Sequence, residues 1–176
     1  NGVQSIDASG KILASSTAFA EDTILYAYWT PVTYIVRFEG NGATGGSMED
    51  FVCTYGVSSQ LPLNEFIKTH YAFNSWNTEI DGNGISYVNG SMIENLTDIQ
   101  NGVITLYAQW TPNKYTVRFD ANGGMGEMED ILLTYDQPSN LPMNQFTRNN
   151  GYGDSTFLGW NIISDTREIM YRDGVE

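Results

Sequence analysis

The residues able to do chemistry in this chain are few. Among 176 residues there is one histidine, His70, and one cysteine, Cys53. Nucleophilic catalysis of the Ser-His-Asp or Cys-His kind would have to pass through His70. The stretch that repeats its surroundings further along carries no histidine, so a solvated loop residue is expected there. A zinc site needs several Cys or His ligands at close spacing, which one of each cannot supply within a chain. Cys53 is replaced by Leu133 at the corresponding place, which reads as a small buried apolar residue rather than a redox group. A lone cysteine also excludes an internal disulfide framework.

Carboxylates offer two further chemistries. Glu49–Asp50 recurs as Glu129–Asp130, each behind a methionine, and Ca²⁺ takes several carboxylate and carbonyl oxygens. Asp120 and Asn122 open like a calcium loop, but no acidic ligand follows at the required spacing, and Asn–Gly explains itself as a turn. A turn or solvated face is the expectation, with Ca²⁺ the alternative and no cofactor required. Glycoside hydrolysis would need two carboxyls about 5 to 9.5 Å apart across one sugar bond. No spacing selects such a pair, and no enzyme is expected.

Aromatic residues remain. Trp29, Trp76, Trp110 and Trp160 could stack on sugar rings, but their recurrence at strand ends favours filling the same core hole in each unit. Tyr26, Tyr28 and Tyr107 fall on the opposite strand parity and are the candidates for an exposed contact surface. Arg37 and Arg118 share that outer parity, near Glu39 and Asp120, where cross-strand charge pairing on a wet face is expected.

The elements that must position these residues are written twice. Thr23 to Ala43 recurs as Ile104 to Gly124, with Leu25, Tyr26, Ala27, Trp29, Thr30, Pro31, Tyr34, Val36, Arg37, Phe38, Asn41 and Gly42 returning 81 positions later. Such self-similarity marks a tandem repeat, with a period too long for a solenoid. Units of roughly 60 to 80 residues can bury a modest core, so beads on a string are expected. Residues 1–30 read as the C-terminal part of a preceding repeat with an orphan strand at 23–29. Residues 31–111 read as a complete repeat, and 112–176 as an incomplete one lacking its last strand.

Within the complete repeat, Tyr34, Val36 and Phe38 alternate with Ile35, Arg37 and Glu39, the period of a strand. Asn41–Gly42 marks a turn at positive φ. Further strands are expected through Phe51, Cys53 and Tyr55, through Tyr71 to Trp76, and through Ile104 to Trp110. Residues 91–97 are the one plausible helix: Ser91 and Glu94 have capping-box spacing, and Met92, Ile93 and Leu96 have helical spacing. The second copy repeats this order through Tyr115–Val117–Phe119, Ile131–Leu133–Tyr135, and Phe157 with Trp160.

The net charge of −13 and pI near 4.2 argue against nucleic acid, whose phosphates require Lys and Arg. They also disfavour anionic membrane surfaces. No window approaches the roughly 20 apolar residues that span a bilayer, and no signal peptide opens the chain.

Tyr115 to Gly124, Thr134–Tyr135, Leu141–Pro142, Gly151–Tyr152, Phe157 to Trp160 and Thr105 to Trp110, in that relation, resemble the Listeria–Bacteroides repeat, or internalin-type B repeat, of bacterial surface proteins. The first repeat departs from the pattern, with Ala43 in place of Gly and Asn74-Ser75-Trp76 in place of the Gly-Trp ending. The resemblance implies an α+β, strand-dominated fold of tandem β-grasp-like units, each a small mixed sheet with one short helix. It implies an extracellular or cell-surface location on a bacterium and no shared catalytic residues. The expected role is a stalk, spacer or adhesion module with a protein or glycan ligand. A carbohydrate-binding accessory module using exposed aromatics is the alternative. An exposed sheet edge is a template for strand addition. Self-association by strand exchange between residues 1–30 and the incomplete C-terminal repeat is therefore expected.

Overall fold

The computed structural model describes residue 24 and residues 26–149, 151, 153, 155–164 and 171–174. The chain divides into two units, Asn1–Pro31 and Val32–Glu176. In the first unit, residues 24 and 26–31 have no regular secondary structure.

The second unit begins with β1 (Thr33–Glu39), β2 (Phe51–Thr54), β3 (Ser59–Gln60) and β4 (Tyr71–Asn77). It continues through β5 (Ser86–Tyr87), β6 (Met92–Ile93), β7 (Val103–Pro112), β8 (Lys114–Val117) and β9 (Ile131–Thr134). Five strands form one mixed sheet in the order β2-β1-β7-β4-β5. β1 and β7 run parallel at its centre, with Val36 opposite Ile104 and Phe38 opposite Leu106. The alternation read in β1 is kept: Tyr34, Val36 and Phe38 are buried and Arg37 and Glu39 exposed.

β4 pairs antiparallel with β7, and the register slips between Phe73 and Ser75. Such a bulge inserts one unpaired residue and reverses the side-chain alternation beyond it. Phe73, opposite Trp110, and Trp76, opposite Ala108, therefore face the same core although three positions separate them. Phe38, Phe66 and Phe73 surround Trp76 at ring-centroid distances of 4.9, 6.2 and 5.0 Å. Trp110 packs edge-on against Phe73 and donates its indole N–H to the Gly40 carbonyl at 2.9 Å. That bond fixes the turn where Asn41 and Gly42 both take positive φ, 46° and 81°. The turn does not close a tight hairpin, because the returning strand starts only at Phe51.

The expected helix is absent, and the described residues are all-β. The α+β assignment with one short helix per unit is therefore corrected, while the strand-dominated character holds. Residues 91–97 instead hold β6, whose Ile93 and Met92 pair with Ser59 and Gln60 of β3. Asn95 adopts φ 55°, a left-handed conformation that cannot continue a helix. Its side-chain oxygen accepts the Gly56 N–H. Seven residues are too few for a helix to hold without strong packing, and the β3 ladder offers the backbone a partner. Leu61 and Ile93, both buried, cap the sheet where a helix was expected.

In the second repeat, β8 pairs antiparallel with β9, Tyr115 opposite Leu133 and Val117 opposite Ile131, as Tyr34 faces Cys53 in the first. Phe157 and Trp160 form no strand; Trp160 makes only an isolated bridge to Tyr171. The aromatic arrangement is nonetheless reproduced. Phe119, Phe146 and Phe157 surround Trp160 at 4.8, 6.0 and 4.8 Å.

Candidate functional site

The five candidate contact residues are not gathered at one place. Tyr26 and Tyr28 belong to the first unit and are 85% and 90% exposed. Tyr107 lies in β7 opposite Glu39 of β1, half-buried on the outer face of the sheet, where Arg37 also points. Arg118 belongs to the second repeat. The four tryptophans divide: Trp76 is buried, Trp110 and Trp160 are partly buried, and Trp29 is exposed. The core reading therefore fits three of them, and Trp29 is the exception.

Both arginines are engaged, with partners other than Glu39 and Asp120. Arg37 makes a two-pronged bond to Asp50, Nε to Oδ1 at 3.1 Å and Nη2 to Oδ2 at 2.8 Å. Arg118 Nε meets Asp130 Oδ2 at 3.1 Å. The second member of each acidic pair is thus an arginine partner across the loop that follows the first strand. The Arg37 hydrogen bonds hold the Asp50 carboxyl below the usual carboxylate range. Among the described residues no three His, Cys, Asp or Glu side chains gather in a cluster.

Cys53 is buried beside Tyr34 in the core, and burial pushes its thiol up, away from nucleophilic reactivity. Two open hollows lie at corresponding turns. The first, of about 400 Å³, is lined by residues 40–46 and Phe66 and carries no titratable side chain. The second, of about 490 Å³, includes Asp120, Glu127 and Glu129. Corresponding hollows that differ in this way share no constellation of acid, base and nucleophile.

A further surface with several side-chain contacts lies where the repeats meet. β7 ends at Pro112 and β8 begins at Lys114, leaving Asn113 between them. The Asn113 N–H donates to the His70 carbonyl at 2.9 Å, extending the first repeat's ladder. Its carbonyl accepts the Tyr135 N–H at 2.8 Å, opening the ladder of the second. One residue is thus held by both repeats.

Side chains close around it. The His70 and Tyr135 rings stack at 4.4 Å, and Tyr71 meets Tyr135 edge-on at 5.6 Å. The Tyr71 hydroxyl donates to Asp136 Oδ2 at 3.0 Å, and that bond to a carboxylate pushes the Tyr71 hydroxyl pKa up. Lys68 Nζ sits 4.4 Å from the Tyr71 ring centroid, a cation–π distance. His70 and Asp136 both take positive φ, 65° and 60°. His70 is an exposed loop residue, as expected, but its ring is held by Tyr135.

Comparison with known proteins agrees with this twofold construction. The family described as the Listeria-Bacteroides repeat domain matches at residues 34–109 and again at 115–174. Two proteins of Evansella cellulosilytica are similar. One, provisionally named a Gly-rich membrane protein, is 34% identical over 134 residues, covering 75% of this chain and 15% of the relative. The other, provisionally named a membrane protein, is 29% identical over 162 residues, covering 90% of this chain and 22% of the relative. The chain thus spans less than a quarter of the length of either. No solved structure matches. Among the described residues no helix is long and apolar enough to cross a membrane. With two successive matches that together cover most of its length, the chain belongs to the Listeria-Bacteroides repeat family.

Proposed function

We propose that this chain is a non-catalytic module of a bacterial surface protein that acts as a spacer, holding other parts of that protein away from the cell, or as an adhesion module. The observation that carries this reading is the repetition of the interior. Each repeat surrounds a tryptophan with three phenylalanines at matching distances, and each ties its recurring arginine to an aspartate. The recurring tryptophans Trp76 and Trp160 and the recurring arginines are engaged in building the same small body twice. Two relatives named as membrane proteins support a location at the cell envelope.

The carbohydrate-binding alternative is favoured by one observation: Tyr26, Tyr28 and Trp29 present nearly bare rings within four residues. An array of glycans and matrix proteins probed with the monodisperse chain separates the two readings. Silence across the array supports a spacer. A specific glycan signal lost in Tyr26→Ser or Tyr28→Ser supports the carbohydrate module. A matrix-protein signal lost in Tyr107→Ser or Arg37→Ser supports adhesion through the outer sheet face.

Strand exchange belongs to the same proposal. The edge of β1 that faces β7 has a counterpart in β8 that carries no strand among the described residues. A strand of Leu-x-Ala-x-Trp pattern suits it, from residues 23–29 within the same molecule or from those of a neighbouring copy. Light scattering over a concentration series tests the second source. Association abolished by Ala27→Pro supports it, and a monomer throughout overturns it.

A further inference from the structure

The junction at Asn113 has a meaning beyond connection. Flexible tandem modules are ordinarily joined by exposed, polar linkers of several residues in which few contacts cross. Here no linker exists. The last strand of one repeat and the first of the next are separated by a single residue, both of whose backbone hydrogen-bonding groups are bound. Rotation about that residue would break a bond in one repeat's ladder or the other's.

The side chains resist the remaining freedom, a bend about the Asn113 backbone. Such a bend would unstack His70 from Tyr135 and pull the Tyr71 hydroxyl from Asp136. All four residues lie in loops or at strand ends and contribute little to either repeat's own core. Their contacts join segments 65 residues apart. The first repeat supplies an internal comparison. Tyr55 donates its N–H to the Val32 carbonyl at 2.8 Å, just as Tyr135 does to that of Asn113. Gly56, however, stands where Asp136 does and offers no carboxylate.

We propose that the Lys68–Tyr71 loop and the Tyr135–Asp136 turn form a repeat-to-repeat docking surface, whose partner is the adjoining repeat. Docked in this way, the two repeats are one stiff body rather than beads on a string. The functional value of that stiffness rests on the spacer reading, but the docking can be measured without it. A module that sets a distance must hold an angle between its repeats.

Spin labels placed at Asp98→Cys in the first repeat and Glu127→Cys in the second, with buried Cys53 left in place, report the distance between repeats in the full chain. The wild-type background should give one narrow distance distribution. Tyr135→Ala should replace it with a broad one, and Tyr71→Phe, which removes only the hydroxyl, should broaden it less. Tyr135→Phe retains a ring to stack on His70 and should keep the narrow peak, as should Tyr55→Ala at the equivalent turn. A broad distribution in the wild-type background overturns the docking, as does a narrow one in both Tyr135→Ala and Tyr71→Phe. Far-ultraviolet circular dichroism identifies a variant that has not folded; Tyr71→Phe, a surface change, then carries the test. A glycan ligand found on the array would weaken the spacer reading and leave these distances unaffected.

Discussion

The two repeats carry the same parts and assemble them to different degrees. In the first, β1 is flanked by β2 on one edge and by the ten-residue β7 on the other, and Trp76 is fully buried. In the second, β8 has only β9 beside it among the described residues, and Trp160 is only partly buried. Yet the aromatic box, the arginine–aspartate pair and the positive-φ Asn–Gly turn recur in both. The parts are therefore specified within each copy, although the residues that build them lie up to some forty positions apart in sequence. Complete burial additionally needs the long central strand. What the second repeat has in addition is the first repeat itself, against which Tyr135 and Asp136 are docked.

Four experiments would sharpen or break that comparison. The largest effect is expected at the box. Replacing a buried tryptophan with alanine typically costs about 3 to 5 kcal/mol, so Trp76→Ala should strongly lower the midpoint of chemical denaturation. Trp160→Ala should lower it less, because part of that ring already meets water. Equal losses would show that the two boxes are equally complete.

Next comes Asn77, the one buried polar side chain among the described residues of the core. Its amide nitrogen donates to the Gly82 and Gly84 carbonyls and to Ser86 Oγ, and its oxygen accepts from the Glu79 and Gly84 N–H groups. Asn77→Ala would leave several of these groups buried and unpaired, at about 1 to 3 kcal/mol. The counterpart Asn161 accepts from the Ile163 N–H in a more exposed setting. Asn161→Ala should cost less, as read by thermal unfolding.

A smaller effect is expected at the junction under alkali. The Tyr71 hydroxyl is raised above its ordinary value by its bond to Asp136, with burial and the Asp136 and Tyr135 charges adding. A group whose folded pKa is raised contributes stability that is full below its unfolded pKa, near 10, and is lost as pH rises through the folded value. Ionised Tyr71 would face the Asp136 carboxylate, like charge against like. The distance distribution between repeats should therefore broaden reversibly as this hydroxyl titrates. In Tyr71→Phe it should show no such pH step.

The smallest effect is expected at the ion pairs, which are exposed and contribute little to stability. The Asp50 carboxyl is lowered by its hydrogen bonds from Arg37. Its contribution is present above the unfolded pKa and lost as pH falls through the lower folded one. Arg37→Gln should move the Asp50 titration upward toward the ordinary carboxylate range in a carbon-13 NMR experiment. The melting temperature should scarcely change.

Strand parity was legible because it depends on neighbours: Tyr34, Val36 and Phe38 announce a buried face by alternation alone, and Asn41–Gly42 announces its φ values. Ser91 to Thr97 departs from the expected helix because the same spacing serves two purposes. Ile93 fills the core from a two-residue strand as readily as from a helix, and left-handed Asn95 excludes the helix. The arginines bond Asp50 and Asp130 rather than the nearer Glu39 and Asp120 because Asp50 lies 13 residues from Arg37, beyond a loop whose path no local pattern fixes. The junction was hidden for the same reason, since Lys68 to Tyr71, Asn113 and Tyr135–Asp136 meet only after both repeats have folded. His70 is the solvated loop residue its sequence implies, and its ring contact with Tyr135 comes from the other repeat.

Coupling between the repeats is tested most directly by native-state hydrogen exchange on the full chain, comparing wild type with Tyr135→Ala. Amides of the β1–β7 ladder should be the most protected in both proteins. Amides of the β8–β9 ladder should be protected in the wild type and exchange faster in Tyr135→Ala, with the first repeat little altered. Unchanged β8–β9 protection after Tyr135 is removed would contradict the coupling and return the two repeats to independent bodies.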